Sequence, residues 1–190
     1  MSKNHWQGKQ IRLRALEDAD LERYIAERAQ PDSIRQWYED ELLFPASEKE
    51  VRKSYDEALE EFSKDDKRIF IIETQSGEYL GEISVWNTKK RAMVFRYGIF
   101  LVEDARGKRY GKEALTIVLD YYFNELNYQK CDPTVYSFNK KSQAFHESMG
   151  FILEGRLRND VYTRGEYHDM LVYGMLKDEF NKLHKHEFPV

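Results

Sequence analysis

Arg106-Gly107-Lys108-Arg109-Tyr110-Gly111 places three cations and two glycines just ahead of a helical pattern, with Lys112 following inside it. A turn of this kind gathers backbone N–H groups and the positive end of the helix dipole at one point, which suits a phosphate. The same residues also describe a basic surface turn, and the loop alone leaves both readings open. The Gly-Lys-Ser/Thr ending of a nucleoside-triphosphate loop is absent, and the glycine spacing is wrong for a dinucleotide fingerprint. A second set follows in Asn139-Lys140-Lys141-Ser142, then His146, then Gly150-Phe151. Asn139 and Ser142 stand at and just beyond a strand end, where their side chains can bond an amide-rich ligand. The alternative is a helix N-cap and a solvent-facing serine.

Other chemistry is poorly supported. Cys131 falls in a strand pattern with no histidine at motif spacing, so a buried structural thiol is expected rather than a nucleophile. His5, His146, His168, His184 and His186 form no metal set, and no metal is expected. Across 190 residues the net charge is −4, which argues against nucleic-acid binding. The hydrophobic share of 41% supports a real core, and a single cysteine fits a reducing compartment. The polar start and short apolar runs predict neither a secretory leader nor a membrane span. A cytoplasmic location is expected, with no membrane partner.

These candidates need elements to hold them. Alternation at 10–14 predicts a first strand; Asp18 is a candidate cap for a helix ending before Pro31. Ser47 and Glu50 form a capping-box pattern ahead of Val51, Tyr55 and Leu59 at helical spacing. Strands are expected at 68–74, 79–87 and 92–102, then a helix at 112–126 and a strand at 130–138. Asn139 starts a helix that Gly150 ends. A hairpin of 151–162 with 166–176 turns at Arg164-Gly165, and a short helix follows. The expectation is a single α/β (α+β) domain over 1–190, with its core at about 10–180. Its sheet is mixed, with final strands too close for crossover helices.

In this order, the loop Arg106 to Gly111, Asn139-x-x-Ser142 and Gly150-Phe151 resemble the GNAT superfamily of acetyl-CoA-dependent N-acetyltransferases. The Gly165-to-Asp169 turn is similar to the branch of RimJ and RimL. Trp37-Tyr38-Glu39-Asp40 is similar to a segment of the spermidine N-acetyltransferases. The resemblance implies a mostly antiparallel, twisted sheet of about seven strands, splayed between the fourth and fifth to admit acetyl-CoA. Pantetheine would pair with backbone at Phe100, Leu101 and Val102. The pyrophosphate would lie on amides from Gly107 to Lys112, beside Arg106, Lys108, Arg109, Tyr110 and Gly111. Asn139 and Ser142 would face the pantetheine and thiol end.

The resemblance also implies direct attack by an amine: a protein N-terminus, a polyamine or a small metabolite. A backbone N–H near Leu101 would hold the oxyanion. Ser142 or His146 would protonate the thiolate, His146 standing where many relatives carry tyrosine; a packed histidine is the alternative. Glu82 is a candidate base or a solvent-facing strand residue. Trp37, Tyr38 and Glu39, with Trp86 and Tyr136, are candidates for holding the acceptor; a solvated acidic turn and core aromatics are the alternatives. The chain departs from the family at Arg96, where relatives often carry Glu, and at Arg109, which replaces a glycine. A side chain at Arg109 is expected to restrict the loop backbone. Homodimerisation is open, and a non-catalytic acyl-CoA sensor or an adaptor stands as the rival reading.

Overall fold

Ile11 and Leu13 are buried while Arg12 between them is exposed, so alternation alone sets the inner face of the first strand. The computed structural model describes residues 4–28, 47–61 and 67–184. In chain order the elements are β1 (Ile11–Ala15), α1 (Leu21–Arg28), α2 (Glu48–Glu61), β2 (Arg68–Thr74), β3 (Tyr79–Lys89) and β4 (Val94–Leu101). They continue with α3 (Tyr110–Asp120), β5 (Lys130–Cys131), β6 (Thr134–Tyr136), α4 (Lys140–Met149), β7 (Ile152–Thr163), β8 (Glu166–Leu176) and α5 (Lys177–His184). The strands hydrogen-bond in the order β1-β2-β3-β4-β5-β8-β6, and β7 pairs with β8. The β4–β5 pair is parallel and short, over Val94↔Lys130 and Phe95↔Cys131. No helix among the described residues is long and apolar enough to cross a membrane.

Among the described residues eight strands stand where about seven were expected, because 130–138 is not one strand. Pro133 has no N–H to give a ladder, so the chain breaks between β5 and β6. The helix expected at 112–126 starts earlier, at Tyr110, and its last turn, Tyr121–Glu125, is a π turn. The capping box forms as read: Ser47 N–H donates to Glu50 at 2.7 Å, and Glu50 N–H donates to Ser47 Oγ at 3.3 Å. Asp18 does not cap α1; it opens a 3₁₀ turn, Asp18–Asp20, whose N-cap is Glu17.

Contacts divide the chain into two units, Met1–Trp86 with Gly98–Ala114, and Asn87–Tyr97 with Leu115–Val190. In the first, Leu16, Tyr24, Val51, Tyr55 and Ile71 form one buried cluster. Each such side chain contributes ~1.5–3 kcal/mol on burial. Beside it, Arg14 donates to Asp20 at 2.7 and 2.8 Å and to Glu73 at 2.9 Å. Burial would raise the Asp20 carboxyl, but the Arg14 hydrogen bond and neighbouring donors hold it below its ordinary value. In the second unit Phe95 stacks on Tyr122 at 4.6 Å and meets Phe123 edge-on. The π turn brings both Tyr122 and Phe123 into burial.

Candidate active site

The end of β4 is shaped by a glycine on β3. Val102 N–H donates to the Leu80 carbonyl at 3.0 Å, so Val102 turns its main chain toward β3. Main-chain groups alternate along a strand, so the N–H and C=O of Leu101 point to the opposite edge. A Cβ on Gly81 would collide with the Phe100 carbonyl oxygen and lie 2.9 Å from Leu101 Cα. Its φ of +151° and a register shift in the facing strand at Ile72/Glu73 complete the irregularity. Of the three residues expected to pair with pantetheine, Leu101 alone therefore offers an outward amide. Its carbonyl accepts a hydrogen bond from Arg106 Nε at 2.9 Å.

The cationic loop follows. Gly107 has φ +77°, and nothing lies within 4 Å of the place a Cβ would take there. Arg109 has φ +70°, which corrects the expectation that its side chain would restrict the backbone: the loop takes the glycine-like conformation. A non-glycine residue there costs roughly 1–2 kcal/mol. Arg106, Lys108 and Arg109 are exposed, and Lys112 is half-buried. The first helical bond of α3 runs from Glu113 N–H to the Arg109 carbonyl at 3.1 Å, so the amides of Tyr110 and Gly111 have no carbonyl a turn behind them in the helix. Glu113 would oppose an anion here, but its carboxylate accepts N–H groups from Lys9 and, at 3.0 Å, Gln10.

Glu82 is 1% exposed, in a run from Leu80 to Val85 that is buried throughout, which corrects its solvent-facing reading. It borders a small recess with Asp20, Arg23, Tyr24 and Tyr79. Arg23 lies 4.4 Å over the Tyr79 ring. Trp86 is half-buried on β3, its ring 3.8 Å from where a Gly98 Cβ would stand. Trp37, Tyr38, Glu39 and Asp40 lie outside the described residues.

On α4, Asn139 is the N-cap: its Oδ1 accepts Ser142 N–H at 3.0 Å. His146 is enclosed. It stacks on Tyr97 and Tyr173 and meets Phe145 and Phe151 edge-on. The Ser142 carbonyl, which only accepts, lies 2.7 Å from Nδ1, so Nδ1 carries the hydrogen and Nε2 accepts the Tyr97 hydroxyl at 2.8 Å. Burial lowers the imidazole to about 4 despite the Ser142 carbonyl, and pushes the Tyr97 hydroxyl well up. The imidazolium expected as a donor near neutral pH is thus replaced by a neutral, packed ring. Tyr97 was not legible as a partner; the only signal was its place two residues after Phe95 on an inward strand face.

Three other residues weighed in the sequence, the candidate Tyr136 with Arg96 and Cys131, are held by structure. Arg96 Nε donates to the Asp132 carbonyl at 2.8 Å and stands 3.4 Å from its carboxylate, which also accepts the Thr88 hydroxyl at 3.0 Å. Tyr136 on β6 stacks on Phe138 at 5.1 Å. Cys131 is buried, and burial together with Asp132 pushes its thiol well up. Among the described residues no three His, Cys, Asp or Glu side chains gather as a metal set.

The profile of the acetyltransferase (GNAT) domain matches residues 10–152. The chain belongs to the GNAT acetyltransferase family. It is 35% identical to the SPbeta prophage-derived uncharacterized N-acetyltransferase YokL of Bacillus subtilis (strain 168), over 97% of this chain and 99% of that one. It is 26% identical to a spermidine N(1)-acetyltransferase of Vibrio cholerae, over 90% of this chain and 95% of that one. The same fold is seen in a crystal structure of spermidine N-acetyltransferase from Vibrio cholerae in complex with CoA and spermine. There the TM-score is 0.79 at 23% identity, covering 91% of this chain and 99% of that one. This GNAT protein is an N-acetyltransferase, and the expected mixed, mostly antiparallel sheet is the fold it shares with those neighbours.

Proposed function

We propose that this GNAT enzyme transfers acetyl from acetyl-CoA to a primary amine by direct attack. The observation that carries this reading is the outward main chain of Leu101, followed at once by the cationic turn into α3. The Leu101 edge suits the amides of pantetheine, and the amides from Gly107 to Lys112 suit the pyrophosphate. The neutral amine attacks the thioester carbonyl, the Leu101 N–H stabilises the oxyanion, and CoA leaves as its thiolate. Of the two proton donors expected on α4, His146 is neutral and enclosed, which leaves the Ser142 hydroxyl. Proximity of the two substrates supplies much of the acceleration.

The acceptor follows from proton chemistry. A peptide N-terminus, with a pKa of about 7.7–8.0, is partly neutral at pH 7 and needs little base, whereas a primary alkylamine near ~10 needs one. Spermidine-acetylating relatives support an alkylamine, and Glu82, bordering its recess, is the carboxylate that would take the proton. The N-terminal and small-amine acceptors stand beside it. A reducing, cytoplasmic setting suits the free buried Cys131.

The test is release of CoA thiol from acetyl-CoA with spermidine, with peptides bearing free N-termini, and with the same peptides blocked. Release with one amine class and none with blocked peptides is the expected result. Binding of acetyl-CoA with no release for any amine would instead favour the non-catalytic sensor.

A further inference from the structure

Ahead of β1 the chain turns at Gly8-Lys9-Gln10 and closes on the first turn of α3. The Glu113 carboxylate accepts the main-chain N–H groups of Lys9 and, at 3.0 Å, Gln10, and also the Gln10 side-chain amide at 3.3 Å. The turn is anchored independently of Glu113. Gly8 N–H donates to the Ile11 carbonyl at 2.9 Å, and Leu13 N–H donates to the Trp6 carbonyl at 2.8 Å. Trp6 stacks on Phe70 at 4.6 Å, and Gln75 Nε2 donates to the carbonyls of Gly8 and Ile11 at 3.1 and 3.0 Å. Position 8 has no room for a side chain, because a Cβ there would collide with the Glu113 carboxylate.

A carboxylate in the first turn of a helix has another partner within reach. In a capping box such a side chain folds back three residues onto a free main-chain amide. Three residues before Glu113 stands Tyr110, whose N–H has no carbonyl a turn behind it. Released, Glu113 would compete for that amide with any other anion, and its charge would oppose one at the same helix end. We propose that the turn Gly8-Lys9-Gln10 is a clamp that holds Glu113 off the first-turn amides of α3. Affinity for the anionic cosubstrate is then set in part by a segment 104 residues earlier in the chain. This rests on the acetyl-CoA reading above. Three N–H donors satisfy the carboxylate where it stands, so it gains nothing by turning back. Gly8 and Glu113 are positioning residues: the glycine makes space for the carboxylate, and the carboxylate, once held, leaves the amides to the ligand.

The experiment measures KM for acetyl-CoA, KM for the amine, and kcat. The proteins are wild-type, Gly8→Ala and Lys9→Pro, and each of these two variants combined with Glu113→Ala, with thermal melts to show folding. Gly8→Ala evicts the carboxylate with its Cβ, and Lys9→Pro removes one of the donors outright. Each single variant raises KM for acetyl-CoA about three- to fivefold, while kcat and KM for the amine stay as in wild-type. Adding Glu113→Ala removes the competing charge, and returns KM for acetyl-CoA to within about twofold of wild-type. A contact that serves only the fold gives the opposite result: the double variants, having lost it entirely, bind acetyl-CoA as weakly as the single ones or more so. That outcome, or a wild-type KM for acetyl-CoA in a folded single variant, overturns the clamp alone. A wild-type protein that releases no thiol from acetyl-CoA with any amine overturns the reading on which it rests.

Discussion

The loop from Arg106 to Lys112 and the helix α4 both carry polar residues of the kinds that do chemistry, yet they use them in opposite ways. In the loop Arg106, Lys108 and Arg109 are exposed, and the conformation is set by φ angles of +77° at Gly107 and +70° at Arg109. On α4, Asn139 is spent as a cap and His146 as a hydrogen-bonded slab between Tyr97 and Tyr173. Exposed groups keep their ordinary properties and stay available to a ligand. A buried group takes its protonation state from its surroundings and contributes to stability first.

That contrast breaks most visibly at His146. His146→Ala removes a packed ring and orphans the Tyr97 hydroxyl, and it should cost about 3 kcal/mol. For a chain of this size that is a drop of roughly 6–12 °C in a thermal melt. If His146 were instead an exposed catalytic acid, activity would collapse with the melt unchanged.

The same residue sharpens the contrast through pH. Its ordinary value of 6.5 falls to about 4 in the folded protein. The unfolded chain therefore binds the proton more readily, and acid favours unfolding. At 1.36 kcal/mol per unit, the contribution is about 3 kcal/mol, complete above pH 6.5 and lost as pH falls through about 4. His146→Gln, which does not titrate, should flatten stability against pH in that window; an equal slope in both proteins would contradict the burial argument.

The loop predicts the smaller effect and the opposite sign. Arg109→Gly relieves a left-handed backbone, stabilising the fold by about 1 kcal/mol, while the missing cation raises KM for acetyl-CoA a few-fold. A variant that is less stable than wild-type would show that the Arg109 side chain does more than tolerate its position.

Most of the fold was legible because its signals are local. Ile11 and Leu13 alternate, Ser47 and Glu50 cap α2, and Arg164-Gly165 turns the last hairpin with φ of +53° and +87°. Pro133, read inside one strand, was the local signal passed over, and it splits that strand in two. The loop could be read as a candidate phosphate site, beside a basic surface turn, because its cations and glycines stand in one segment. The neutral state of His146 was not, because it depends on Tyr97 and Tyr173, which are distant in sequence. Nor was the role of Gly81, which emerges only when the Phe100 carbonyl is found against it.

If the outward edge of β4 at Leu101, set by Gly81, receives the cosubstrate, then disturbing that edge must weaken binding. The most direct test is a calorimetric titration of acetyl-CoA into wild-type protein and into Gly81→Ala, each shown to be folded by circular dichroism at the temperature used. Wild-type should bind, and the variant should bind at least about tenfold more weakly, since an added Cβ must displace the Phe100–Leu101 backbone. Equal affinity in the two folded proteins would show that this edge does not receive the cosubstrate.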